Sequence, residues 1–476
     1  FIFLWCLEAQ RKGMVITMIP MTTAQIRDAV AGVLHGDEAL TVTGVSTDSR
    51  QISPGDWFVP ILGERFDGHD YIDKALEAGA VGCFCARLPQ ALRPDKAYIE
   101  AADTKTALRA LASWYRGQFD LPVVQVTGSM GKTTFKELLA GILSQRYNTL
   151  KTHGNFNGDI GTPLLMLELG PEHQAAVVET GMDALGQIRA LGEMVRPDVA
   201  VITNVDDVHL EYFNSRDEIL QAKAEIFENL RPGGLAVLSG DDERLNTLHP
   251  ANCQLLRCGL SEGCDVRVTD LEDLGLEGLR FTVVTAKGRY PLALTTPGVH
   301  MAGLVSMAVA VAEHMGLTAE EILRGVAAYQ PADNRLRVER LAGGRMMIND
   351  SYNANPRSVS ADLRILAQHK GGKRIAMLGD MKELGVAAQP GHESVGRLVG
   401  ELGIAVLLAV GPLCREYMVP AATAAGCPDV RWYEKREDVK DDLLALFGPG
   451  DCVLLKASHF FGRFDLMADF LREYTF

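Results

Sequence analysis

Short apolar runs alternate with amphipathic segments in the middle of the chain. The runs are rich in β-branched residues and bounded by polar turns, and the segments between them repeat apolar residues at helical spacing. The predicted strands cover residues 123–126, 175–178, 199–202 and 236–238, and the predicted helices cover 135–145 and 217–230. Because near-continuous apolar strands between helices are typical of a parallel sheet covered on both faces, we predict a central α/β domain.

The chain on either side shows the same alternation in smaller units. Before the central domain, strands are predicted at 42–45, 56–60 and 81–84 and helices at 71–78 and 104–118. After a polar break near residues 330–334, predicted strands at 345–348, 374–378, 405–410 and 452–455 alternate with helices at 358–368 and 394–401. We therefore predict three α/β domains, which span residues 18–103, 104–332 and 333–476.

Length and composition agree with a multidomain globular protein. The chain has 476 residues, of which 47% are hydrophobic and 23% charged. Its first seven residues are apolar, but such a run is too short to span a bilayer, and we predict that residues 1–17 are an extension outside the fold. No other apolar run approaches the length of a membrane span, so we expect no membrane insertion.

Charge and cysteine content narrow the class of protein and the cellular compartment. A net charge of -14 argues against a nucleic-acid-binding protein, because phosphate backbones favour basic surfaces. The nine cysteines have neither the spacing of zinc ligands nor a regular pattern. Free thiols in a reducing compartment account for them, so we expect a cytoplasmic protein.

A glycine-rich loop follows the first strand of the central domain. The loop consists of Thr127, Gly128, Ser129, Met130, Gly131, Lys132, Thr133 and Thr134. Its backbone N–H groups can surround the phosphates of ATP, with the help of the helix dipole that follows. Lys132 would reach the β- and γ-phosphates and Thr133 would bind Mg²⁺. Since the general pattern requires glycine where Val126 stands, a chance Gly-Lys-Thr turn is the alternative.

Several polar residues lie where predicted strands end or in the loops between them. Glu179 and His209 follow strands, at the edge of the sheet where ligands bind in such folds. Each has a plain alternative, a solvated carboxylate or a structural histidine. Asn155 and Asn157 lie in a glycine-rich loop that can be a ligand loop or a simple turn. Lys223 lies on a predicted helix and, from its surroundings alone, is interpreted as a solvated surface lysine.

Together these motifs resemble the Mur ligase family, ATP-dependent enzymes that form amide bonds in peptidoglycan precursors. The family loop is T-G-[ST]-x-G-K-T-[ST], which residues 127–134 satisfy with Val126 in front. The resemblance covers nearly the whole chain. It includes the segments 154–157, 179–181, 203–210 and 222–227. Three further segments, 45–50, 349–356 and 378–385, resemble the family member that adds D-alanyl-D-alanine to UDP-muramoyl-tripeptide.

The resemblance implies a fold and a reaction. The first domain would bind the UDP-sugar, the second would be a P-loop ATPase, and the third would be Rossmann-like. The substrates would be ATP, UDP-N-acetylmuramoyl-tripeptide and D-alanyl-D-alanine, joined through an acyl phosphate, and we expect a monomer. A folylpolyglutamate synthase or another Mur ligase is the alternative enzyme, and a nucleotide-dependent switch is the alternative outside enzymes.

The resemblance also implies roles for individual residues. The uridine diphosphate would contact Ser46, Thr47, Asp48, Ser49 and Arg50, and the muramoyl-peptide would contact Asn155 and Asn157. The catalytic residues would be Lys132, Glu179, His209 and Lys223. Thr133 and Glu179 would hold one Mg²⁺, and His209 would belong to a second Mg²⁺ site. Lys223 would be carbamylated and in that form would be a metal ligand. Arg335 and Asp350 would meet the nucleotide from the third domain.

The sequence departs from the family pattern at three places. Residues 459–461 diverge after a segment that fits the family, so the dipeptide site is only partly assigned. Met301 stands where the family uses asparagine at the adenine, so no adenine contact is predicted. Asn334 stands where glycine is expected before Arg335.

Overall fold

Three β-sheets organise the computed structural model, which describes residues 16–63, 66–206, 213, 215–458 and 462–474. Each sheet belongs to one α/β domain, which confirms the predicted fold class. Within these ranges no helix is both long enough and apolar enough to cross a bilayer. The cysteines in the described ranges are all free thiols.

The first domain has a six-stranded sheet. Its strands are β1 (Thr17–Thr22), β2 (Val33–His35), β3 (Thr41–Ser46), β4 (Asp56–Phe58), β5 (Gly82–Cys85) and β6 (Ala97–Glu100), in the order β1-β3-β4-β5-β6-β2, and its helices are α1 (Thr23–Val30) and α2 (Ile72–Glu77). Ile16 is buried and Thr17 pairs with Gly44. The predicted extension, residues 1–17, therefore reaches two residues too far, since residues 16–17 belong to the fold.

The central domain carries a nine-stranded sheet. Its strands are β7 (Val123–Thr127), β8 (Thr149–Lys151), β9 (Ala175–Glu179), β10 (Val199–Ile202), β11 (Leu235–Ser239), β12 (Gln254–Gly259), β13 (Val266–Asp273), β14 (Leu279–Val284) and β15 (Arg289–Leu294), in the order β15-β14-β13-β12-β11-β10-β7-β9-β8. Its helices are α3 (Thr104–Arg116), α4 (Lys132–Leu143), α5 (Gly161–Leu167), α6 (Gln187–Val195), α7 (Arg216–Ala224), α8 (His300–His314) and α9 (Ala319–Ala327).

This central sheet is mostly parallel, as predicted. Strands β7 to β13 pair in parallel, and β14 and β15 add an antiparallel edge that the sequence pattern did not indicate. Every residue of β7 is buried, because helices pack on both faces of the sheet. Side chains of α4, α8 and α9 fill one face, and those of α3, α5 and α6 fill the other.

The third domain has a six-stranded sheet of its own. Its strands are β16 (Arg337–Arg340), β17 (Met346–Asn349), β18 (Arg374–Gly379), β19 (Val406–Val410), β20 (Asp429–Tyr433) and β21 (Cys452–Lys456), in the order β16-β17-β21-β18-β19-β20. Its helices are α10 (Pro356–Ala367), α11 (Ala388–Glu401), α12 (Val419–Ala424), α13 (Lys440–Leu446) and α14 (Asp465–Glu473). Apart from β16, the strands are parallel, in agreement with the Rossmann-like prediction.

Parallel strands bring the polar loops of the second and third domains together. Since all carboxyl ends of parallel strands lie at one edge, the loops after β7, β9 and β10 are neighbours. The third domain touches this edge directly. Arg335 Nη2 donates to Thr133 Oγ1 over 3.1 Å, and Arg357 Nη1 lies 3.1 Å from Asp206 Oδ2.

A buried guanidinium ties α3 to the start of the central sheet. Arg116 donates to the carbonyls of Val195, Phe119 and Leu121 at 3.2, 2.6 and 3.3 Å. We expect Arg116→Met to lower the free energy of unfolding by about 1–3 kcal/mol for each carbonyl left buried without a donor. Urea unfolding would measure the loss. Arg364→Met, the same change at an exposed arginine of α10, should stay close to the parent, and equal stability of the two variants would contradict the prediction.

Candidate active site

The glycine-rich loop passes directly into helix α4. The helix begins at Lys132, three residues before the predicted start at 135, and Gly131 caps it with a left-handed φ of 77°. The first N–H groups of a helix have no partner inside it and point along its axis. The beginning of α4 is therefore an anion site in front of which a phosphate can bind.

The tip of the loop is fastened to the end of β10. Ser129 N donates to the Asn204 carbonyl at 3.0 Å, and Met130 N donates to Asn204 Oδ1 at 2.9 Å. Thr203 Oγ1 donates in turn to the Met130 carbonyl at 2.6 Å. Two of the amides in the predicted phosphate cradle are thus already engaged, and the first turn of α4 supplies the amides that face a phosphate.

Lys132 folds back over its own loop. Its Nζ donates to the Gly128 carbonyl over 2.7 Å, and burial lowers the pKa of the amine below its usual range. A partly desolvated ammonium group next to the loop interacts strongly with phosphate oxygens, since little water screens it. Binding of the β- and γ-phosphates by Lys132 stays a prediction.

Glu179 is a buried carboxylate at the end of β9. Its side chain is 2% exposed. Oε1 accepts hydrogen bonds from Thr133 Oγ1 at 3.2 Å and from Asn157 Nδ2 at 2.8 Å. Oε2 is buried and has no hydrogen-bond donor among the described residues, with Lys136 Nζ at 4.0 Å. A carboxylate oxygen in this state favours a cation, and the hydroxyl and carboxylate donors are of the kind that Mg²⁺ prefers.

Lys223 is buried on α7. It is only 2% exposed, so the interpretation as a solvated surface lysine is wrong. Burial, and to a lesser extent the charge of Lys132, lower its pKa well below the usual range. Burial therefore favours the neutral form of its amine. His209, the residue predicted for a second Mg²⁺ site, lies outside the described residues.

Arg335 reaches the phosphate loop from the third domain. In addition to its bond to Thr133, its guanidinium stacks on the ring of Tyr352 at 3.8 Å. The preceding Asn334 adopts a left-handed φ of 61°, and its Oδ1 accepts from Asn349 Nδ2 at 2.9 Å. Asparagine tolerates this conformation better than most residues, which explains how it replaces glycine here.

Asp350 belongs to a buried charge cluster that sequence reasoning missed. Its Oδ1 accepts from Leu336 N at 3.0 Å, and Oδ2 binds Lys456, which also lies 2.9 Å from Asp362. Burial opposes ionisation of both carboxyls, but the charge of Lys456 keeps the pKa of Asp350 below its usual value. The pKa of Asp362 is raised well above its usual value. The structure thus brings Arg335, not Asp350, to Thr133.

The predicted uridine-diphosphate segment forms a tight turn in the first domain. Ser46, Thr47 and Asp48 are partly buried, Ser49 is buried and Arg50 is exposed. Arg50 Nε and Nη2 each donate to the Asp48 carboxylate at 2.8 Å. This turn lies in a different domain from the phosphate loop. In the other predicted substrate loop, Asn157 contacts Glu179, whereas Asn155 accepts from the Asn157 backbone at 2.7 Å.

Asp380, His392 and Cys414 also cluster, in the third domain, within distances that could suit a metal ion. His392 Nε2 accepts from Met381 N at 3.0 Å, and Nδ1 lies 2.7 Å from the Ala388 carbonyl. Both ring nitrogens are therefore occupied by backbone groups. The histidine fixes the loop after β18, and the Thr133–Glu179 pair remains the better cation site.

Three models of one protein family match this chain, one in each of its domains. Residues 41–111 match the Mur ligase family catalytic domain, 126–312 the Mur ligase middle domain, and 334–459 the Mur ligase glutamate ligase domain. The UDP-N-acetylmuramoyl-tripeptide–D-alanyl-D-alanine ligase of Escherichia coli (strain K12) is 35% identical over 86% of this chain and 89% of its own length. The chain belongs to the Mur ligase family.

Other relatives support the same assignment. The ligase of that name from Bacillus subtilis (strain 168) is 32% identical over 93% of this Mur ligase and 96% of its own length. A crystal structure of MurF from Acinetobacter baumannii has a TM-score of 0.87 and 32% identity, with 96% of this chain and all of that chain covered. MurF from Thermotoga maritima in complex with ADP has a TM-score of 0.81 and 27% identity, over 90% and 97% of the two chains.

Gly128 leaves no room for a side chain in this Mur ligase. A Cβ at this position would lie 1.9 Å from Thr203 Oγ1, with the backbone at a φ of 153°. We expect Gly128→Ala to displace the loop, to lower the free energy of unfolding by about 1–3 kcal/mol and to weaken ADP binding. Urea unfolding and titration calorimetry would measure the two effects.

Gly141→Ala, on the helix that follows the loop, provides the matched control. A Cβ there meets nothing within 4 Å, so alanine should stabilise α4 by about 0.5–1 kcal/mol and leave ADP affinity unchanged. Parental ADP affinity in Gly128→Ala would show that the packing of the loop against Thr203 is not required.

Proposed function

We propose that this Mur ligase joins D-alanyl-D-alanine to UDP-N-acetylmuramoyl-tripeptide, with cleavage of ATP to ADP and phosphate. The observation that carries the proposal is the likeness to D-alanyl-D-alanine ligases along nearly the full chain, including the first and third domains. The product would be the UDP-linked pentapeptide used for peptidoglycan. The folylpolyglutamate synthase of Thermotoga maritima, at 15% identity and a TM-score of 0.57, shares the fold alone.

The chemistry follows from the low reactivity of a carboxylate. The terminal carboxylate of the tripeptide attacks the γ-phosphate of ATP, which gives an acyl phosphate and ADP. The dipeptide amine then attacks the acyl carbon, loses a proton and displaces phosphate. Because two anions meet in the first step, the protein must supply positive charge and position. Lys132, Arg335 and the first amides of α4 would do so, and the support is the contact of both side chains with the phosphate loop.

Thr133 and Glu179 would hold a Mg²⁺ ion, which neutralises phosphate charge when it is bound. The support is the buried Glu179 Oε2 without a donor. Asn157 orients the other carboxylate oxygen through its hydrogen bond to Oε1. Arg335 donates to the Thr133 hydroxyl. It would therefore couple the approach of the third domain to nucleotide binding and help to keep water away from the acyl phosphate.

The remaining assignments extend this proposal to the substrates. Residues 46–50 would bind the uridine diphosphate, supported by the exposed Arg50 and its neighbouring backbone turn. Asn155 and Asn157 would contact the muramoyl-peptide, and Asp350 would contact the nucleotide. His209 would take part in a second Mg²⁺ site. The protein would act as a monomer in the cytoplasm.

Acceptor dependence tests the reaction. We expect release of ADP and phosphate to require both UDP-N-acetylmuramoyl-tripeptide and D-alanyl-D-alanine, because the acyl phosphate is protected from water until the amine arrives. A coupled ADP assay with mass detection of the pentapeptide would measure this. Full ATP turnover without the dipeptide would contradict the proposed reaction and favour a nucleotide-dependent switch.

Lys132→Ala tests the assignment of the phosphate loop in the same assay. Loss of a charge that stabilises the transferring phosphate should lower turnover roughly a hundredfold or more. The melting temperature should stay near that of the parent. Retained activity would reject the assignment of the phosphate loop.

We further propose that Lys223 carries a carbamate. Its burial and lowered pKa favour the neutral amine that reacts with carbon dioxide, and the product is an anionic oxygen ligand. We expect labelled bicarbonate to give a protein carbamate signal in carbon NMR that Lys223→Ala lacks. Short carboxylic acids should partly restore the activity of Lys223→Ala. A fully active Lys223→Ala without such acids would disprove the carbamate.

A further inference from the structure

A second lysine follows the phosphate loop on the same face of helix α4. Lys136 comes three residues after Thr133, and residues at this spacing are neighbours on the surface of a helix. The side chain of Lys136 is completely buried, which is rare for a lysine unless its ammonium group is paired. None of the roles assigned above uses its charge.

Two oxygen atoms hold the ammonium group of Lys136. Nζ donates to the Thr152 carbonyl over 2.7 Å and lies 2.9 Å from Glu137 Oε1. The other carboxylate oxygen of Glu137 accepts from Lys151. Burial opposes ionisation of Glu137, but the charge of Lys136 and the hydrogen bond from Lys151 lower its pKa below the usual range. One carboxylate is thus shared between two lysines and neutralises only one of them.

Glu179 lies just beyond the reach of this ammonium group. The distance from Lys136 Nζ to Glu179 Oε2 is 4.0 Å, which is too long for a hydrogen bond. Thr152 fixes the backbone on the other side, because its hydroxyl accepts from Glu179 N at 2.8 Å. Lys136 therefore acts on Oε2 through its charge and leaves the lone pairs of this oxygen to another cation.

Three positively charged side chains of the described residues lie around the proposed Mg²⁺ site. Lys132 interacts electrostatically with both Glu179 and Arg335, and Arg335 donates to Thr133. Lys136 adds a third charge from the buried side of the carboxylate. The single charge of Glu179 does not offset these three, so they repel a divalent cation that arrives alone. The phosphates of a nucleotide supply the negative charge that is missing.

We propose that Lys136 is a positioning residue that keeps a divalent cation from binding at Thr133 and Glu179 until a nucleotide is present. Its charge repels the lone cation, and its bonds to Thr152 and Glu137 stop the ammonium group from occupying Oε2 itself. The inference rests on the proposed function, since it concerns the Mg²⁺ site of that reaction. As a consequence, the metal ion and the nucleotide enter the site together.

The alternative role of Lys136 is that of a strut, which only ties α4 to Thr152 after strand β8. The two roles differ in what loss of the lysine does to cation binding. Loss of a strut loosens Glu179, and the affinity for a cation stays the same or falls. Loss of a repelling charge raises this affinity, and an unfolded variant cannot show such a gain.

The test measures binding of Mn²⁺ to the nucleotide-free protein by water proton relaxation, which is enhanced when the ion is bound to a large molecule. Mn²⁺ prefers the same oxygen ligands as Mg²⁺. In the parent we expect only weak binding to surface carboxylates. In Lys136→Met, and in Lys136→Gln, which keeps an N–H for the Thr152 carbonyl, we expect a new site. Its affinity should be at least about tenfold higher, because a unit charge a few ångströms from a divalent ion repels it strongly in a partly buried site.

Two controls locate the new site. Glu179→Gln in the Lys136→Met background should abolish it, since it removes the carboxylate that binds the ion. Lys151→Met removes the other lysine on Glu137 and leaves Lys136 in place, so it should bind Mn²⁺ no more tightly than the parent. Melting temperatures near the parent value would show that the variants are folded.

Every other outcome overturns the inference. Tight binding of Mn²⁺ by the nucleotide-free parent, lost in Glu179→Gln, would show that Lys136 does not keep the ion away. Lys136 variants that unfold, or that fold with parental or weaker affinity, would show a strut. An equal gain in Lys151→Met would show a general effect of charge. Failure of the proposed Mg²⁺ site itself is recognisable, because the parent would then bind no Mn²⁺ in the presence of ADP either.

Discussion

The hydroxyl group of Thr133 lies where the phosphate loop, the carboxylate of Glu179 and the third domain meet. It donates to the buried carboxylate of Glu179 and accepts from Arg335 of the third domain. The other oxygen of Glu179 is buried without a donor, a costly state that a bound cation relieves. The phosphate loop, the carboxylate of Glu179 and the third domain are therefore linked through a single side chain.

Parallel β-structure makes this meeting possible. Adjacent strands β9, β7 and β10 end at one edge of the central sheet and deliver Glu179, the glycine-rich loop and Asn204 to the same place. Asn204 takes up two loop amides, so the loop has a fixed shape before any phosphate arrives. A site prepared in this way needs little rearrangement when charge develops during phosphoryl transfer.

The third domain contributes buried charge close to this edge. Lys456 lies between Asp350 and Asp362, and its charge lowers the pKa of Asp350, whereas burial raises the pKa of Asp362. Asp350 also accepts a hydrogen bond from the backbone directly after Arg335, at Leu336. Buried ion pairs contribute little net stability, but they fix geometry when every partner is satisfied. This cluster is consistent with a role in orienting the arginine that reaches the phosphate loop.

The sequence by itself determined the three α/β domains, the parallel character of their sheets and the phosphate loop, because these depend on local periodicity and on a short motif. It also pointed to Glu179, since that residue directly follows an apolar strand. Tertiary structure decided the antiparallel strands β14 and β15 and the burial of Lys223. It also decided the pairing of Lys456 with two carboxylates and the contact of Arg357 with Asp206. These features bring together residues far apart in the chain, and burial and charge pairing exist only once those residues are in contact.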